Sequence, residues 1–150
     1  MRPPVARTVL VCLCLGRASA SGDATPAVES AAREAVDRFA AALEAEDSSR
    51  LRQVLPRRGS VQLHLVRLGL EAGSFTSDQV ETLFRDVFDR TTVRSVETLR
   101  LEHDPRGLAL ARARLRVTDR DGREASVELR LGLREEDGRW VLREIRESPA

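Results

Sequence analysis

"LALARARLRVTDRDGREASVELRLGLREE", residues 108–136, holds two runs of strict alternation on either side of an Asp-Gly pair. In the first run Ala109, Ala111, Ala113, Leu115 and Val117 alternate with Arg112, Arg114 and Arg116. In the second, Ala125, Val127, Leu129, Leu131 and Leu133 alternate with Glu124, Ser126, Glu128 and Arg130. Successive side chains of a strand point to opposite faces, so each run has an apolar side and a charged side. Asp121-Gly122 suits the tight turn between two antiparallel strands. The stretch therefore predicts a hairpin with one buried face and one wet face, its arginines and glutamates pairing across the wet one.

The same period continues outward in both directions. Asp137-Gly138 supplies a second hairpin turn into "RWVLREIRES" (139–148), and Val93 to His103 reads as a strand ending in the turn Asp104-Pro105-Arg106-Gly107. Ahead of this four-strand meander stands "SFTSDQVETLFRDVFDR" (74–90). Thr76 with Gln79 forms a capping box, Phe75 with Val80 a hydrophobic staple, and Val80, Leu83, Phe84, Val87 and Phe88 an apolar stripe at helical spacing. "GSVQLHLVRLG" (59–69) alternates again, with Val61, Leu63 and Leu65 inward and Gln62 and His64 outward. The first helix starts at Thr25-Pro26 and buries Val28, Ala32, Ala35, Val36, Phe39 and Leu43. Asp47-Ser48 break it, and a short second helix through Leu51, Val54 and Leu55 ends before Pro56. The order ααβαββββ defines an α+β domain, its helices against one face of a mostly antiparallel sheet.

Residues 1–20 have the layout of a secretory signal peptide. Arg2 and Arg7 precede an apolar run from Thr8 to Gly16, and Ala18-Ser19-Ala20 offers a cleavage site. The run is too short for a permanent membrane anchor. Neither Cys12 nor Cys14 follows the small residues that a lipoprotein site needs. A flexible lead-in at 21–25 and one domain at 26–148 complete the chain, which is expected in the periplasm or outside the cell. Both cysteines lie in the leader, so the mature chain is expected to lack disulfides, thiol catalysis and cysteine metal sites. The leader also takes Arg2, Arg7 and Arg17 out of the 25 basic residues and none of the 24 acidic ones, leaving a formal charge of −2. Such a near-neutral chain lacks the electrostatic footprint of a nucleic-acid binder.

This order, with a first helix running into "FAAALEAEDSSRLRQVLP" and closing strands ending in "DGRWVLREIRES", resembles the nuclear transport factor 2-like superfamily, which includes ketosteroid isomerases and SnoaL-like proteins. "VQLHLVRLGLEAGSFTSDQVETLFRDVF" is most similar to small exported bacterial members without an assigned activity. The resemblance spans Pro26 to Ser148. It implies a strongly curved sheet wrapping a cone-shaped cavity, often in a dimer, on a fold that serves enzymes and pure binding scaffolds alike.

Ketosteroid isomerase chemistry uses a tyrosine, a protonated carboxylic acid and a carboxylate base. This chain has no tyrosine, and no base falls on a matching motif. His64 would serve as a general base only if a register break near Val66 turned it inward; the alternation places it on the wet face instead. His103, beside Asp104 at a strand end and sharing a face with Leu99 and Leu101, reads as a turn histidine. Two histidines without ligand spacing make no zinc site. "VTDRDGREASVE" (117–128) places Asp119, Asp121, Gly122 and Glu128 as in a calcium loop, but Val117 cannot ligate and the context is a hairpin. Arg112, Arg114 and Arg116 are read as a charge ladder against Glu124 and Glu128, with no aromatic side chain for base stacking. No cofactor is expected. The residues favour a non-catalytic binding module for a small apolar ligand or a protein partner, its cavity lined by Phe39, Phe84, Phe88 and Trp140. A pocket enzyme using His64 or His103 with a carboxylate, and a structural homodimer through the charged sheet face, are the alternatives.

Overall fold

The computed structural model describes residues 24–149. The leader, Cys12, Cys14 and most of the lead-in lie outside the described residues. Helix α1 (Ala24–Glu44) is already helical one residue before the expected Thr25 cap, so Pro26 stands in its first turn, where a missing N–H costs nothing. The stripe from Ala32 to Leu43 is buried. The expected short second helix is a 3₁₀ turn, Ser48–Gln53, started by Asp47, whose carboxylate accepts the Ser49 N–H at 3.0 Å. Helix α2 (Ser77–Arg90) begins with the full capping box. Thr76 Oγ1 accepts the Gln79 N–H at 3.4 Å, and the Gln79 side chain accepts the Thr76 N–H at 2.9 Å.

Six strands form one open mixed sheet: β1 (Val61–His64), β2 (Gly73–Phe75), β3 (Thr91–Asp104), β4 (Leu108–Asp119), β5 (Glu124–Glu136) and β6 (Arg139–Glu147). Their spatial order is β2-β1-β6-β5-β4-β3, parallel only between β1 and β6. The short edge strand β2 is absent from the sequence expectation, because three residues with a glycine carry no periodic signal. The alternation does break at Val66, as a 3₁₀ turn (Val66–Leu68) closed by Gly69 at φ 78°. That break follows His64 and leaves it exposed, while Val61 and Leu63 are buried.

The helices cover one face of the sheet, and the core between them takes in residues from every long strand. Three bulges shift which residues face that core. β3 carries an extra residue at Arg94 and another at Leu99, and β6 one at Arg143. The inward residues of β3 are therefore Val93, Val96 and Leu101 rather than a simple alternate set. Leu99, expected to share a face with Leu101 and His103, is pushed out of phase and is 38 % exposed.

Candidate binding face

The aromatic residues expected to line a cavity sit in the layer between helices and sheet. Phe39 and Phe84 are each 1 % exposed and meet edge to face, with ring centroids 6.3 Å apart. Phe88 tilts against Phe84 at 6.1 Å. These three rings have one another as partners. Trp140 is buried, lies in a T-shaped contact with His103 at 6.5 Å, and borders a small pocket with Ala35, Val54 and Arg139.

The two histidines lie on opposite faces of the sheet. His103 is level with Ala109 and shares the core side with Leu101. His64 is level with Arg146 on the outer side, away from the helices. Among the described residues neither histidine forms an ion pair with a carboxylate. Asp104, next to His103, is engaged elsewhere. The Arg106 guanidinium, and then the Arg106 N–H, hold its carboxyl down from 3.8 to about 2.

The outer face carries an open groove of about 740 Å³. Its charged lining is five arginines (Arg67, Arg100, Arg112, Arg130 and Arg146) against Glu102 and Glu147, with His64 at one end. Leu110 and Pro149 are its only apolar side chains. Strand register explains the concentration of charge. His64 is opposite Arg146, Arg146 opposite Arg130, Arg130 opposite Arg112, and Arg112 opposite Arg100. One row across five neighbouring strands thus holds four arginines and a histidine. The expected ladder of arginine against glutamate holds only in the next row, where Arg114 lies between Glu128 and Glu97. In the groove row, Arg112 meets Arg130 directly and reaches diagonally to Glu128. Arg146 pairs with Glu144, and Arg100 with Glu102 at 2.5 Å. Arg130 forms no ion pair among the described residues.

Of the groove residues, the sequence points to His64 as a candidate and to Arg112 and Arg130 only as charged-face residues of the alternating runs. It does not single out Arg67, Arg100 or Arg146. Counting equal steps from the hairpin turns would have found part of the row. Six residues back from Thr118 is Arg112, and six on from its partner Glu124 is Arg130.

Other charged clusters serve the fold. Glu81, 8 % exposed on α2, accepts from Arg52 of the 3₁₀ turn and from Arg85 one turn on, at 3.4 Å. Its bond to Arg52, with Asp78 beside it, raises the Arg52 pKa. The cluster ties α2 to the segment before β1.

No protein-family model matches the sequence, and no curated protein matches it. Solved structures do match in fold. A nuclear transport factor 2-like superfamily protein from Salmonella enterica serovar Typhimurium superposes with a TM-score of 0.66 at 15 % identity, covering 85 % of this chain and 94 % of that one. A ketosteroid isomerase-like protein from Erwinia carotovora gives 0.62 at 15 % identity, covering 80 % and 96 %. An LEH-like epoxide hydrolase from M. tuberculosis gives 0.59 at 19 % identity, covering 79 % and 81 %. The chain has the nuclear transport factor 2-like fold.

Proposed function

We propose that this nuclear transport factor 2-like chain is an exported, non-catalytic binding module, and that it binds through the outer face of its sheet. The observation carrying this reading is the arginine-rich groove of about 740 Å³ on that face, set against an interior in which the aromatic side chains pack on one another. Volumes of this size suit small ligands. Among the described residues neither histidine is ion-paired to a carboxylate, which favours binding over acid–base chemistry. Export rests on the leader, with its basic start, apolar run and Ala18-Ser19-Ala20.

A pocket enzyme is the second reading. It is favoured by His64, Glu102 and Glu147 lining one groove, and by neighbours named as an epoxide hydrolase and as isomerase-like. The fold itself does not choose between the two.

The test is native mass spectrometry of the chain exported into a bacterial periplasm and gently purified. Wild type should carry an excess mass that is lost on denaturation and absent from the R112Q/R130Q chain. Retention of that mass by the double variant would overturn the reading.

A further inference from the structure

Building on the outer face as the binding surface, we propose that the groove is an oxyanion site centred on Arg130, for a small ligand bearing two or more phosphate or carboxylate groups. The first argument is electrostatic. Like charges directly opposite one another on neighbouring strands destabilise a sheet, and here Arg146, Arg130 and Arg112 are consecutive partners in one row. The adjacent row of Glu128, Arg114 and Glu97 shows the alternating arrangement that stability alone favours. A repeated like-charge contact needs a compensating anion, and among the described residues no carboxylate pairs with Arg130.

The second argument is availability. The guanidinium groups of Arg146, Arg112 and Arg100 have carboxylate partners, but these side chains are 53 %, 50 % and 67 % exposed. Such exposed pairs contribute little, so a ligand redirects these guanidinium groups at little cost. Guanidinium forks match phosphate and carboxylate oxygens two at a time. Adjacent strands lie about 4.8 Å apart, so a ligand with several anionic groups engages successive arginines at once.

The third argument selects the ligand class. Among the described residues His64 is the groove's one aromatic side chain, too little to stack the successive bases of a single-stranded nucleic acid. As much of its surface is apolar as polar, but only Leu110 and Pro149 contribute apolar side chains, so an apolar ligand would have to cover the guanidinium groups around them without pairing them. A compact, multiply charged anion is what remains.

Isothermal titration of the purified chain tests this, at physiological ionic strength, where diffuse charge attraction is largely screened. The probes are inorganic tripolyphosphate and propane-1,2,3-tricarboxylate. At least one should bind saturably at a single site; which one distinguishes a phosphate source from a carboxylate source. Arg130→Gln should weaken binding at least tenfold, and Arg130→Lys should recover part of the loss. Arg123→Gln, in the β4–β5 turn, should leave it unchanged. The Tm of unliganded Arg130→Gln should equal or exceed that of wild type, because a like charge is removed. Binding of neither probe, equal weakening by Arg130→Gln and Arg123→Gln, or a lowered Tm for Arg130→Gln would each overturn the proposal. If the probes fail while the double variant still loses the carried mass, only the anion assignment falls. If the probes bind while that mass is retained, the wider reading falls instead.

Discussion

Arg143 decides which way the last strand faces. It is the extra residue of the β6 bulge, and its guanidinium donates to both oxygens of Glu136, at 2.6 and 2.7 Å, and to the Ser60 carbonyl at 3.0 Å. Because it drops out of register, Ile145 enters the core and Arg146 joins the outer row. An unbroken pairing from Glu136 and Arg139 would have set Arg130 opposite Ile145. Nothing in "RWVLREIRES" marks such a bulge, so the arginine row could not be completed from the sequence. The interior shows the opposite case. Phe39 was legible as an inward residue from helical spacing alone, and what spacing could not say was whether its ring meets a ligand or another ring. As a packed core residue, Phe39→Ala should cost about 3–5 kcal/mol in chemical denaturation and leave groove binding intact in the folded fraction. A cost below ~1 kcal/mol would mean that the ring borders open space.

At the scale of elements, the two ends of the chain's logic differ in how far they could be read. The capping box before α2 and the Asp-Gly hairpin turns are local signals, and the structure places those elements where the signals predict. β3 is different, since its bulges depend on what packs beside it. As an edge strand it would expose unpaired N–H groups, a template for association with other chains. The end of α1 prevents this. Glu46 accepts the Val93 N–H at 2.7 Å and Glu44 accepts the Val96 N–H at 3.0 Å. Val93 and Val96 flank the bulge at Arg94 and both face the core, so the glutamates cover the edge where its pairing is interrupted. Replacing both glutamates with alanine should raise amide hydrogen exchange at Val93 and Val96 about tenfold, equivalent to ~1.4 kcal/mol of local opening. Exchange at Leu115, inside the sheet, should not change. Unaltered exchange at Val93 and Val96 would mean that the glutamates are incidental to the edge.

For the whole molecule, the helices sort the two sheet faces into different jobs. One face is an apolar core, to which the aromatic residues, Trp140 and the inward side of His103 belong. The other is open and charged, and its groove is assembled from five strands and the residues just after β1 and β6, so no single segment announces it. Fold resemblance drew attention to the interior; register draws it to the exterior. The direct test is an NMR titration of the purified chain with tripolyphosphate, following backbone amides and side-chain resonances. The account predicts shifts concentrated at His64, Arg100, Arg112, Arg130 and Arg146, with the ring signals of Phe39, Phe84 and Phe88 unmoved. Shifts centred on those rings and on Trp140 would contradict it and return the binding site to the interior.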